Sequence, residues 1–168
     1  NNMYDTRYYE SLQRSTSTDF KINKYVTNSA TIDLSASTSD ELSVSYGTAY
    51  RASYCSANWI VYRLTDIMLM KEALVQLAVD RENGKDPKLS EAFKLVNAVN
   101  LRSNCDKNKV AVLDSTLYTT KSTMNNLVMA ERQRELMFEG KRWFDLVRRA
   151  RREGNTDYLV EQVKRKYT

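Results

Sequence analysis

From Trp59 onward, apolar residues recur at helical spacing, and no other feature constrains the fold of this chain as strongly. Ile60, Leu64, Ile67, Met68, Leu74, Val75 and Ala78 fall at i, i+4, i+7 and i+8, on one face of a helix. Val61, Leu69, Met70 and Leu77 widen that face, which predicts a helix of about 24 residues buried on most sides. It ends in the breaker run Glu82-Asn83-Gly84-Lys85-Asp86-Pro87. A second helix, of about 16 residues, carries Leu89, Phe93, Val96 and Val99 at the same spacing. Two such helices joined by a short loop pack as an antiparallel hairpin, close in size to a ~34-residue helical repeat.

A polar linker over 104–121 precedes a third expected helix, about 122–139, with Gly140 placed as its left-handed terminator. A fourth, about 141–152, carries Trp143, Phe144 and Val147 on one face, with Gly154 beyond its end. A short fifth is expected over 157–166. Residues 58–168 therefore read as stacked helical hairpins, although no strict internal period is present. Residues 1–57 are a different material. Eighteen of the first sixty positions are Ser or Thr, and seven of the eleven tyrosines lie there. Thr31-Ile32-Asp33-Leu34 and Leu42-Ser43-Val44-Ser45-Tyr46 alternate apolar and polar as half-buried strands do. This segment reads as extended chain with one or two short strands, wrapped on something larger. The fold class is mainly α with an irregular, partly β amino-terminal segment.

Composition narrows function by exclusion. The 168 residues contain no histidine, which removes Ser-His-Asp and Cys-His catalysis, histidine zinc ligation and the usual near-neutral acid/base group. Two cysteines cannot supply a four-thiolate zinc site. Gly47, Gly84, Gly140 and Gly154 match no phosphate-cradling spacing. No cofactor, metal or catalytic residue is therefore expected. Of the net charge of +5, residues 131–168 supply four, from eleven basic and seven acidic residues. No apolar run approaches the ~20 residues needed to cross a membrane. The opening NNMYDTRYYE has neither the charged start nor the apolar centre of a signal peptide, as a mature or excised product would look.

The sharpest string is Glu131-Arg132-Gln133-Arg134-Glu135-Leu136-Met137-Phe138-Glu139-Gly140-Lys141-Arg142-Trp143-Phe144-Asp145-Leu146-Val147-Arg148-Arg149. Physically it is an ion-pair-laced helix meeting an aromatic-faced one at a glycine corner. Glu131–Arg134, Arg132–Glu135 and Arg142–Asp145 stand at i, i+3. Arginine suits such pairs when partly buried, since its planar fork satisfies two acceptors. A nucleic-acid surface of basic and aromatic residues is disfavoured by the interleaved acids. Carboxylate catalysis by Glu131, Glu135 or Glu139 is disfavoured because each has arginine neighbours, which favour the ionised carboxylate, whereas a general acid must hold its proton.

The string resembles the carboxy-terminal signature of the SusD/RagB-like family, whose pattern is close to ERRRELAFEGxRWFDLxR. Asn58-Trp59-Ile60-Val61-Tyr62-Arg63-Leu64-Thr65-Asp66-Ile67-Met68-Leu69-Met70 is similar to the family's NWPVLRLADVLLM helix. Val96-Asn97-Ala98-Val99-Asn100-Leu101-Arg102 resembles its VNxVRxR segment, and Phe20-Lys21-Ile22-Asn23-Lys24-Tyr25 a shorter stretch before them. Ile60 stands in place of proline, Lys71-Glu72-Ala73 in place of AEA, and Asn100 in place of the first arginine. The resemblance covers nearly the whole chain, as an internal, carboxy-proximal piece of a longer protein.

It implies tetratricopeptide-like helical hairpins and a non-catalytic glycan- or nutrient-binding lipoprotein. That protein would sit on the outer membrane, face outward, and act with a SusC-type TonB-dependent transporter, its lipid anchor lying outside this chain. The alternative is a helical-repeat scaffold that binds another protein and no sugar. Family ligand contacts are not marked by the matching motifs, so no binding residue is carried over. Exposed candidates for stacking on a sugar are Tyr4, Tyr8, Tyr9, Tyr46, Tyr50 and Tyr54, although packing against the helices is the plainer expectation for each. Trp59 and Trp143 are expected as core anchors, and Met68, Met70 and Met137 as core filler. Cys55 and Cys105 fall at the open end of the first hairpin, and a cell-surface location permits a disulfide. Helix lengths argue against it, leaving a gap of roughly 10 Å where a bridge needs Cα atoms within ~7 Å.

Overall fold

The computed structural model describes residues 4–14, 19–25, 30–37, 42–47, 58–81, 85–106 and 112–165. Its best-specified element is α4, Pro87–Arg102. Asp86 caps it, accepting from the Lys88 amide at 2.8 Å, and Pro87 sits where a missing N–H costs nothing. The other Asp86 oxygen accepts from the Val79 amide at 3.2 Å, which ties the preceding loop to the helix start. Leu89, Val96 and Val99 line the buried face, as the spacing predicts, joined by Ala92, while Phe93 is half-buried. Next comes α5, Lys121–Glu135, opened by a reciprocal capping box between Thr120 and Thr123. Its Met124, Leu127 and Val128 meet the α4 face, and Leu69, Val75 and Ala78 complete the core. A 3-10 turn, Ser115–Leu117, lies between α4 and α5, and Phe93 stacks on Tyr118 beside the core.

The first expected helix is two short ones. These are α2, Leu64–Met70, and α3, Glu72–Leu77, separated at Lys71. The start is late because Arg63 is extended (φ −145°, ψ 162°) and its guanidinium reaches to Glu135 and Glu139. The inward face is also rotated from expectation. Thr65, Asp66 and Leu69 are buried, whereas Leu64 is 72% exposed and Ile67, Met70 and Leu77 are exposed. Asp66 determines this rotation: its carboxylate accepts from Arg132 on α5. Burial on most sides and the core role of Met70 are corrected accordingly. Met68 does pack against the core, half-buried, and Met137 is half-buried.

Beyond the corner lie α6, Arg142–Glu153, and α7, Asp157–Lys164. Gly154 ends α6 at φ +68°, in the left-handed conformation, beyond the helix as expected. α5 stops at Glu135, four residues earlier than expected. Residues 136–140 turn instead, with Phe138 at φ +64° and Gly140 at φ +71°.

The amino-terminal segment contains more structure than the expected one or two strands. A short helix, α1, Thr6–Ser11, was not legible, and runs into β1, Leu12–Arg14. β1 pairs antiparallel with β2, Phe20–Ile22, Leu12 opposite Ile22. The two anticipated strands are β3, Ala30–Asp33, and β4, Ser43–Tyr46, paired antiparallel with Ala30 opposite Tyr46. Backbone bonds from Thr6 to Ser103 (2.8 Å) and from Cys105 to Tyr4 (2.9 Å) fasten this segment to the end of α4. The whole is mainly α, with a partly β amino terminus.

Candidate functional site

The nineteen-residue string becomes α5, the corner and the first turns of α6. Its glutamates at 131, 135 and 139 face inward and are buried. A buried carboxylate must be matched by cations or neutralised. Arg7 of α1 meets Glu131 at 2.6 Å and Glu135 at 3.2 Å, while Asp5 holds its other nitrogens. Arg63 contacts Glu135, and binds Glu139 at 2.8 Å and the Glu135 carbonyl at 2.5 Å. Arg102, at the end of α4, reaches Glu135 at 2.6 Å, and Lys24 meets Glu139 at 3.0 Å. Burial by itself would raise the Glu135 carboxyl. The hydrogen bonds and charges of Arg63 and Arg102 overcome that and hold it at about 2.

A second cluster, centred on Arg132 next to Glu131, lies about 100° around α5 from the first. Arg132 is 2% exposed and donates to both Asp145 oxygens, at 2.9 and 3.0 Å, and to Asp66 at 3.0 Å. Lys141 faces Asp66 at 3.5 Å and Arg148 caps Asp145. Of the three expected local pairs, Glu131–Arg134 forms, at 2.5 Å. Arg132–Glu135 and Arg142–Asp145 do not. Arg132 and Glu135 take partners from other elements, since an enclosed guanidinium matches a buried carboxylate best, and Asp145 takes Arg132 from α5 as well as Arg148 on its own helix. Arg142 instead donates to the Met129 carbonyl and to Gln162, each at 3.2 Å.

Above the corner the surface is aromatic. Trp59 is 60% exposed, stacked on Tyr25 with centroids 5.0 Å apart and planes at 17°. A Cβ on Gly140 would stand 3.5 Å from Trp59 Cζ2, so the indole lies against the glycine turn. The Tyr25 hydroxyl donates to the Phe138 carbonyl at 3.4 Å. Exposed Tyr62 has Lys141 Nζ 4.4 Å from its ring centroid. Trp143 and Phe144, 58% and 61% exposed, follow on α6. Both tryptophans are thus surface residues, correcting their expected role as core anchors. Trp59 belongs to the extended stretch before α2. The α6 face that turns inward carries Asp145, Leu146 and Arg149, drawn by Arg132, and this leaves Trp143 and Phe144 outside.

Among the amino-half tyrosines, Tyr8 is exposed and meets Tyr9 edge-on, 5.2 Å between centroids at 89°. The Tyr46 hydroxyl donates to the Leu12 carbonyl at 3.2 Å, and burial, then Tyr9 and Tyr8 nearby, push it up. Tyr4 is half-buried. Tyr50, Tyr54 and Cys55 lie outside the described residues; Cys105 is a half-buried free thiol. Sequence reasoning missed Arg7, Lys24, Arg63 and Asp66 as partners of the corner. A count of inward glutamates in the string against nearby cations would have called for them, but not named them. Among the described residues, no group of acidic or cysteine side chains is arranged to hold a metal ion, and no helix is long and apolar enough to cross a membrane.

The geometry defines a helical domain folded around a buried ionic corner with an open aromatic surface. The family model described as the SusD family matches residues 1–167, and the chain belongs to that family. The SusD-like protein P38 of Formosa agariphila is 30% identical over 148 residues, covering 86% of this chain and 24% of that protein. The chain thus spans about a quarter of the length of the curated relative it matches. No solved structure gives a significant match.

Proposed function

We propose that this chain is part of a non-catalytic nutrient-binding lipoprotein of an outer-membrane uptake system. Its ligand is an oligosaccharide or other nutrient, and its partner a SusC-type TonB-dependent transporter. A lipid anchor holds the protein at the cell surface. The observation that carries this reading is the family match along residues 1–167. Residues 1–57 and 58–168 act within one larger domain, a union supported by Arg7 crossing from α1 to Glu131 and Glu135. Successive packing of α3, α4 and α5 supports tetratricopeptide-like hairpins.

Affinity purification of the intact protein from detergent-solubilised outer membranes, with oligosaccharide binding measured on the same preparation, tests the reading. Co-purification of a TonB-dependent transporter together with glycan binding is expected. The exposed apolar residues Leu64, Ile67 and Met70 of α2 and Leu77 of α3 favour a second reading, a helical scaffold that docks protein and no sugar. Recovery of a protein partner with no binding across a broad glycan array would select it.

A further inference from the structure

We propose that the stacked Tyr25–Trp59 pair is a platform for one pyranose ring, a site apart from the Tyr8, Tyr9 and Tyr46 cluster. This rests on the nutrient-binding reading above and assigns it a place. A tryptophan is ordinarily well buried, and an indole left 60% exposed forgoes much of its hydrophobic stabilisation. Here the exposure is combined with rigidity. Tyr25 covers one face of the indole, and the glycine turn supports its edge at Gly140. The turn is itself fixed, because Glu139 within it is buried and held by Lys24 and Arg63. Lys24 directly precedes Tyr25, so the ion pair that anchors the corner also positions the backing ring. A ring held on one face and open elsewhere meets a ligand without losing rotamer freedom.

The chemistry of the surroundings selects the ligand. A pyranose presents C–H groups on its faces and hydroxyls around its rim, matching an indole with polar groups beside it. Tyr62, three residues on from Trp59, and Lys141, next to Gly140 and set over the Tyr62 ring, are polar groups close by in sequence. A nucleotide would need an available cation for phosphate. The neighbouring cations are committed: Arg63 to Glu135 and Glu139, Lys24 to Glu139, and Lys141 to Asp66 and the Val61 carbonyl at 2.5 Å. A neutral sugar ring fits this balance.

The test uses the intact natural protein and an array of short soluble neutral oligosaccharides, followed by calorimetry on the tightest binder. Trp59→Ala is expected to weaken binding at least about tenfold. Trp59→Tyr keeps most of the affinity, Tyr25→Ala shows a second loss, and Tyr8→Ala is unchanged. Unaltered melting of Trp59→Ala separates this from misfolding, as expected for a solvent-facing side chain. Wild-type affinity in Trp59→Ala, or loss in Tyr8→Ala instead, overturns the platform and leaves the proposed function standing. An intact protein that binds no member overturns both. Oxidation of Trp59 by N-bromosuccinimide, slowed by the bound sugar, is also expected. An inert Trp59 in the sugar-free intact protein means that another part of that protein covers it, and overturns the platform.

Discussion

Replacing Arg132 by alanine removes the cation from the most enclosed ionic cluster of the domain. Asp145 and Asp66, 3% and 1% exposed, remain behind. Asp66 Oδ2 already lacks a hydrogen bond in the wild type. Stripping one partner from a buried ion pair costs about 3–5 kcal/mol, mostly through the charge left unmatched. Arg148 still reaches Asp145 and Lys141 still faces Asp66, so the lower end, about 3 kcal/mol, is expected. Against a domain stability of roughly 5–15 kcal/mol this is a large fraction. With a urea slope near 2 kcal/mol per molar, the unfolding midpoint falls by about 1.5 M. Equilibrium urea denaturation followed by far-UV circular dichroism measures it. Lys71→Ala is the control, since its bridge to Glu91 is exposed on both sides and is worth about 0.5 kcal/mol or less. Arg132→Met combined with Asp66→Leu and Asp145→Leu should recover most of the loss, because an apolar replacement leaves no orphaned charge. An Arg132→Ala midpoint within about 0.5 M of wild type would refute the reasoning.

Acid should also weaken the corner. Glu135 sits at about 2 when folded against an ordinary 4.5, so its contribution, roughly 3 kcal/mol, is complete above pH 4.5 and disappears as pH falls from there toward 2. Urea midpoints across that window should drop in the wild type and flatten in Glu135→Gln. Gly140→Ala is expected to cost about 1 kcal/mol in the same assay. The cause is the φ of +71° rather than crowding, because the added Cβ meets Trp59 at ordinary contact distance. Asp86→Ala should lose about 1 kcal/mol through the α4 cap, and amide exchange at Lys88 and Val79 should quicken.

What the sequence revealed depends on the range of the interaction. α4 was legible in its existence and length because the Leu89–Phe93–Val96–Val99 spacing is local, while Asp86 and Pro87, read only as breakers, turn out to be its cap and first residue. The left-handed conformation of Gly140 was legible too, although α5 stops at Glu135 and the glycine closes the turn after it rather than the helix itself. The inward face of α2 was misread because apolar spacing identifies a helical stripe without saying whether a charged residue will outbid it for the interior. Asp66 did so here, turning Leu64 and Ile67 outward. The corner was recognisable as ion-paired, yet local i, i+3 pairing named the wrong partners for Arg132 and Arg142. Arg7 and Arg63 become partners only after distant segments meet, and no spacing rule reaches that far. Exposure of Trp59 and Trp143 followed from the same long-range choices.

The ionic corner also bears on the order of folding. Arg7 meets Glu131 and Glu135 across 124 and 128 sequence positions, and Arg63 meets Glu135 and Glu139 across 72 and 76. Closing loops of that length is entropically disfavoured until neighbouring helices have already condensed, so these bonds form after the rate-limiting step. Substitutions at Arg7 should therefore leave the refolding rate nearly unchanged and accelerate unfolding by almost their full energetic effect. Stopped-flow chevrons of Arg7→Ala and Val96→Ala would show the contrast. The amino-terminal segment then behaves as a latch, contributing little to how fast the helices assemble and much to how long the assembled corner survives.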